Sequence, residues 1–92
     1  MKVIWSQTAI DTYLHIIDTI FEKWTLKEVL HFQKEVDKLL ERLKMHNELC
    51  PLSKQLNYRK CVVSEQTSLI YSLTKKDIYL VTFIDNRSLH SF

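Results

Sequence analysis

The stretch Ser68–Ile84, "SLIYSLTKKDIYLVTFI", decides the architecture. Its two halves, Ser68–Leu73 and Asp77–Ile84, are dense in β-branched, aromatic and leucine side chains, and only Thr74, Lys75 and Lys76 separate them. A connection that short joins antiparallel neighbours and leaves no room for a crossover. The second half is apolar on both phases of its alternation, with Ile78 and Leu80 on one and Tyr79, Val81 and Phe83 on the other. It is therefore expected to be an inner strand with both faces covered in part. Just upstream, "LNYRKCVVS" (Leu56–Ser64) supplies a third β-prone run, separated from the next by Glu65-Gln66. The three form a meander. The chain has no glycine, so primed two-residue turns are hard to make and slightly longer loops are expected.

The first half of the chain follows a different period. After a short β-prone run at Lys2–Trp5, the positions Tyr13, Leu14, Ile17, Ile20, Phe21 and Trp24 fall at the three-and-four spacing of one helical face, with Asp11, His15, Asp18 and Glu22 opposite. Ser6 or Thr8 is placed to cap this helix. Thr25-Leu26-Lys27-Glu28 then reads as a capping box that opens a second helix running to about His46, with Val29, Phe32, Val36, Leu39, Leu40 and Leu43 as its stripe. Almost nothing lies between the two stripes, so a tight helical hairpin is expected. Pro51 closes the helical half. The order is βααβββ, an α+β domain over residues 1–92 in which a helical hairpin packs on one face of a small antiparallel sheet.

Composition narrows the chemistry. Ninety-two residues, 46% hydrophobic and 26% charged, fit one globular domain. No apolar run approaches the ~20 residues of a membrane span. The N-terminal "MKVIWSQTAID" turns polar at Ser6 and lacks the apolar core of a signal peptide, so a cytoplasmic location is expected. In that compartment Cys50 and Cys61, flanking Pro51, are expected to be two thiols. The four histidines show no ligand spacing with each other or with cysteine, so no metal is expected. Without glycine the chain has neither a phosphate-cradling loop nor a dinucleotide fingerprint, and no cofactor of those kinds is expected. Residues 1–53 carry seven Lys/Arg against eight Asp/Glu, whereas residues 54–92 carry six against three. The basic excess of the second half would draw an anionic partner.

Metal-free RNA cleavage needs cations for the phosphorane charge and groups that move two protons. Lys54, Arg59, Lys60, Arg87, His90, Tyr71 and Tyr79 have the required types. Arg59 and Lys60 are adjacent on a strand, so only one of them faces any given site. Arg87 follows the last strand, a common place for functional residues. His90 is the one histidine in the basic tail. Tyr71 and Tyr79 lie inside strand runs and are expected to pack. His15, His31 and His46 are expected to be exposed.

The order of elements, together with "SQTAIDTYLHIIDTIFEKWT" and "YRKCVVSEQTSLIYSLTKKDIYLVTFIDNR", resembles the RelE/ParE superfamily of type II toxins, also labelled plasmid-stabilisation proteins. The resemblance spans essentially the whole chain. It implies a toxin that arrests growth and is neutralised by a cognate antitoxin encoded in an adjacent gene, as a toxin–antitoxin hetero-oligomer or with the toxin as a homodimer. The implied target is DNA gyrase in the ParE branch, or the ribosome and its mRNA in the ribonucleolytic branch. Ribonucleolytic members typically carry an arginine three residues before the tyrosine of the penultimate strand, where this chain has Ser68, and a C-terminal proton-transfer group, where it has Phe92. Arg59 and Arg87 match recurrent basic positions, and Arg59, Arg87 and His90 are the candidate catalytic set if the protein is a ribonuclease. The two departures favour the ParE-like branch, with ribosome-dependent mRNA cleavage, or a member that retains only antitoxin binding, as alternatives.

Overall fold

Ser6 ends the first strand and begins the first helix. In the computed structural model, which describes residues 1–54, 57–87 and 92, the elements are β1 (Lys2–Trp5), α1 (Gln7–Lys23), α2 (Leu26–Met45), β2 (Tyr58–Val62), β3 (Thr67–Leu73) and β4 (Asp77–Asp85). The sheet order is β1-β4-β3-β2, so β4 is the inner strand that its two-sided apolar sequence predicts. The meander β2-β3-β4 is antiparallel as expected. The sheet as a whole is mixed, because β1 lies parallel to β4 from Lys2↔Asp77 to Trp5↔Leu80. Parallel pairing needs a long connection, and the helical hairpin with the first two meander strands supplies one. A four-residue strand carries no local signal for the partner it takes.

β4 is irregular at its centre, and Ser6 matches that irregularity. Ile70 pairs with Thr82 but Tyr71 pairs with Leu80, which leaves Val81 as the extra residue of a bulge. The Val81 carbonyl accepts from Ser6 Oγ at 2.8 Å, and the Leu80 carbonyl accepts from the Ser6 amide at 3.1 Å. The same hydroxyl oxygen accepts from the Ala9 amide at 2.9 Å and so caps α1. One turn on, Thr12 Oγ1 accepts from the Phe83 amide at 3.0 Å. Polar groups around the bulge are thus satisfied from the β1–α1 junction. Ala9 is fully buried there, small enough to let the helix lie close on the sheet.

The core fills the space between the hairpin and one face of the sheet. On α2 the expected stripe is buried at Val29, Phe32, Val36, Leu39 and Leu43, with Leu40 partly covered. Trp5, Tyr13, Phe32 and Phe83 form a ring cluster with centroids 5.2 to 5.8 Å apart. The stripe expected on α1 is split. Tyr13, Ile17 and Ile20 pack inward beside Ala9 and Ile16, whereas Leu14, Phe21 and Trp24 are 54%, 60% and 64% exposed. The apolar surface of α1 is wider than the arc one helix can press on a sheet, and the Ser6 and Thr12 bonds fix which arc is used. At the hairpin bend, Glu28 closes the Thr25 box by accepting from the Thr25 amide at 3.0 Å and from its hydroxyl. These bonds hold the Glu28 carboxyl below its usual pKa.

The cysteines are not two thiols. Cys50 and Cys61 form a disulfide with their Cα atoms 5.3 Å apart, and both are buried. Compartment and spacing pointed the other way; the cause is a pairing that the sequence does not announce. Residues 51–53 run antiparallel to β2, with the Lys60 amide donating to Pro51 O at 3.1 Å, the Ser53 amide to Tyr58 O at 2.8 Å, and Leu52 bridged to Arg59. That register sets Cys50 opposite Cys61. Where the segment turns back, Asn57 takes φ 68°, a left-handed conformation that asparagine tolerates in a chain without glycine. Among the described residues no helix is long and apolar enough to cross a membrane.

Ser6→Ala removes the helix cap and leaves the Val81 carbonyl short of a donor, and is expected to cost about 1–3 kcal/mol in urea denaturation. An unchanged midpoint would show that the bulge does not depend on Ser6. The disulfide closes a loop of 11 residues, so reduction, or Cys50→Ala with Cys61→Ala, is expected to lower stability by about 3 kcal/mol.

Candidate functional site

Arg59, the cation that sequence reasoning places on the first strand of the meander, is bound into the fold. Its side chain is only 18% exposed, with Nη1 donating to Cys50 O at 2.8 Å and Nη2 lying 3.8 Å from Glu48 Oε1. It therefore straps the α2–β2 connection to β2. Beside it Tyr71 is fully buried, its hydroxyl donating to Asn47 O at 2.7 Å and accepting from the Cys50 amide at 3.4 Å. Burial raises the Tyr71 pKa, and the Cys50 hydrogen bond and the Arg59 charge partly offset that rise. Tyr71 is thus a packed strand residue, as expected. Tyr79 is more exposed, at 38%.

Arg87 sits just beyond β4 and forms a fork with Asp85. Its Nε donates to Oδ1 at 3.1 Å, its Nη2 to Oδ2 at 3.0 Å and its amide to Oδ1 at 2.8 Å. The pair lies at the surface, and hydrogen bonding to Asp85 raises the guanidinium pKa further. Arg87, His15, Thr19 and Gln66 line one cleft of about 380 Å³ between α1 and the β2–β3 turn. Arg59 is elsewhere. It pairs with Tyr71, four residues along β3 from Thr67, which pairs with Asp85. At ~3.3 Å per residue the two arginines are on the order of 20 Å apart along the strands. Each is engaged by a carboxylate, and the structure does not bring them into one site. His90, the third candidate, lies outside the described residues. His15, His31 and His46 are exposed as expected.

Ser68 stands where the resemblance leads one to look for an arginine, and it is completely buried. Its hydroxyl donates to Asn86 Oδ1 at 2.6 Å, while Asn86 Nδ2 donates to Ser64 O at 3.3 Å and Glu65 O at 3.2 Å and the Asn86 amide donates to Gln66 O at 2.8 Å. This knot ties the β2–β3 turn to the end of β4. A guanidinium would have no space there without breaking this knot. Phe92, the other departure, stacks on Tyr58 at 5.9 Å between centroids, so the last residue lies against the first strand of the meander. Sequence reasoning missed both Asn86 and the Phe92–Tyr58 stack, because each depends on a long-range partner. Among the described residues no cluster of His, Cys, Asp and Glu is arranged to hold a metal ion.

Two solved structures share this arrangement over nearly their full length. A chain of the chromosomal ParDE TA system from P. aeruginosa superposes with a TM-score of 0.77 at 12% identity, covering 92% of this chain and 95% of that one. The YoeB/ParE toxin from Agrobacterium tumefaciens gives 0.66 at 11% identity, covering 94% and 99%. The chain has the RelE/ParE toxin fold. No protein-family model matches the sequence, and no curated protein matches it. The likeness is therefore one of backbone. Within the RelE/ParE fold this chain spends Arg59, Ser68 and Tyr71 on internal hydrogen bonds.

Ser68→Arg restores the side chain typical of ribonucleolytic members at a buried position, and is expected to destabilise the protein by at least about 3 kcal/mol without producing RNA cleavage. A stable variant that cleaves RNA would contradict the assignment of Ser68 to structure. Burial also raises the pKa of Tyr13. Phenols whose folded pKa lies above the unfolded value near 10 contribute stability that is complete below about pH 10 and is lost as pH rises through the folded value. Denaturation midpoints are expected to hold from pH 7 to 9 and to fall at pH 11, by less in Tyr71→Phe.

Proposed function

We propose that the protein is the toxin of a type II toxin–antitoxin pair, that it arrests growth by binding a cellular target in the manner of a gyrase inhibitor, and that a cognate antitoxin neutralises it. The fold shared with a ParDE chain and a YoeB/ParE toxin supports the toxin reading. The burial of Ser68 carries the choice of mechanism. A ribonuclease built on this fold needs unpaired cations converging on one phosphate. Here Arg59 is tied to Cys50 and Glu48, and Arg87 to Asp85. Protein binding needs no such convergence. It needs exposed apolar anchors, and the hairpin presents Leu14, Phe21, Trp24, Leu26 and Leu30.

The same surface bears on the partner. An apolar hairpin face of this kind is covered in the resting complex by an amphipathic segment of the antitoxin, and exposing it when the antitoxin is lost promotes self-association of the toxin. A cytoplasmic pair encoded by adjacent genes fits that arrangement.

Purified protein is expected to inhibit DNA supercoiling by gyrase in a dose-dependent way, and Arg59→Ala is expected to reduce stability rather than to abolish a catalytic step. Unaffected supercoiling at saturating protein, together with transcripts cut inside translated regions soon after induction, would overturn the gyrase reading in favour of mRNA cleavage. Intact transcripts, intact supercoiling and normal growth would leave only antitoxin binding.

A further inference from the structure

Residues 47–53, which follow α2, return along β2 as a strap. Hydrogen bonds are its first hold on the sheet. The Lys60 amide donates to Pro51 O at 3.1 Å, the Ser53 amide to Tyr58 O at 2.8 Å, Arg59 Nη1 to Cys50 O at 2.8 Å, and the Tyr71 hydroxyl to Asn47 O at 2.7 Å. The second hold is the covalent bond between Cys50 and Cys61. Its cover is thin, because Pro51 next to Cys50 is exposed and Leu52 is 64% exposed. Arg59 and Cys61 stand two apart on β2 and so share a face of the sheet, with the guanidinium held on the Cys50 carbonyl. A positive charge placed there favours a sulfur that departs as thiolate. Where thiols are kept reduced, structural disulfides are rare, and those that form are usually transient or redox-sensing.

We propose that Cys50–Cys61 is a reversible redox modification site, exchanged by a dithiol reductant, and that its two states latch and release the strap. A thiolate of the reductant bonds to Cys50 Sγ, the S–S bond breaks, and its electron pair leaves on Cys61 Sγ, which takes up a proton. The second thiol of the reductant loses its proton and attacks its partner sulfur in the mixed disulfide, which closes the reductant's own disulfide and frees Cys50 to be protonated in turn. Two electrons and two protons pass to the protein, and glutathione disulfide drives the reverse exchange. Attack falls on Cys50 because it belongs to the strap, whereas Cys61 lies inside a strand. Closed, the strap holds Arg59 and Tyr71 out of solvent. Released, it parts Arg59 from Cys50 O and Glu48 and uncovers the edge of β2. Arg87 stays with Asp85 at the far end of the strands, so release presents one cation and assembles no cleavage site. The exchange chemistry is independent of the toxin reading; that the pair meets a reducing dithiol in the cell rests on the cytoplasmic location proposed above.

The full chain is treated with dithiothreitol under native conditions, and thiols are trapped by alkylation and counted by mass. Both cysteines are expected to become thiols while the circular dichroism of the fold persists, and to pair again when oxidised glutathione is added. Phenylglyoxal is expected to modify Arg59 at least about tenfold faster in the reduced chain than in the oxidised one, with the exposed Arg42 unchanged as the internal standard. Tyr71→Phe removes one tether of the strap and is expected to speed reduction about fivefold, whereas Ser6→Ala, which loosens the fold elsewhere, leaves the rate within about twofold. A disulfide that yields only as the fold is lost, equal modification of Arg59 in both states, or a rate that Ser6→Ala raises as much as Tyr71→Phe, overturns the proposal, since reduction would then follow global unfolding. In cells, the trapped chain is expected to be the dithiol during growth and the disulfide after a thiol oxidant is added. A dithiol that the oxidant leaves unchanged overturns the site. A disulfide under both conditions, with exchange proceeding in the purified chain, contradicts the cytoplasmic location and leaves the site standing.

Discussion

One hydroxyl, Ser6 Oγ, joins the start of α1 to the bulge at the centre of β4. Parallel pairing of β1 delivers Ser6 to Leu80 and Val81, and the serine then starts the helix at a fixed height and rotation above the sheet. From that constraint follow the burial of Ala9, the seating of Tyr13 among Trp5, Phe32 and Phe83, and the outward turn of Leu14, Phe21 and Trp24. The exposed apolar face is thus a geometric consequence of how the core is closed. A chain that leaves so much apolar surface on one hairpin is built to be covered.

Two further polar knots do similar duty at the other ends of the sheet. Asn86 gathers Ser68, Ser64, Glu65 and Gln66 at one end, and Tyr71 with Arg59 gathers Asn47 and Cys50 at the other, beside the disulfide. With no glycine to relax tight turns, the turns that bound the meander are held by side chains. Residues that have the right type for catalysis are consumed by this architecture, and that is the physical ground for reading the molecule as a binder.

Much of this was legible in the sequence. The apolar run Asp77–Ile84 marked the inner strand, the Thr25 and Glu28 pair marked the start of α2, and the stripe Val29 to Leu43 marked its buried face, because each is a local pattern that the fold agrees with. What escaped is long-range. The parallel partner of β1, the pairing of Cys50 with Cys61, and the use of Asn86 as a clasp all depend on which segments meet after folding. The width of the apolar surface on α1 was readable, but the arc that would be buried was not, since Ser6 and Thr12 set it through partners more than seventy residues away. For the candidate site the residue types were visible and their availability was not: whether an arginine is free is settled by the carbonyls and carboxylates around it.

The claim that this is a toxin held in check by a neighbour is tested most directly by growth in a host that expresses the chain from an inducible promoter, with and without the product of the adjacent reading frame. The account predicts arrest within a few generations on induction alone, and normal growth when both are expressed. Unimpaired growth at high levels of folded protein, in the absence of the neighbour, would contradict it.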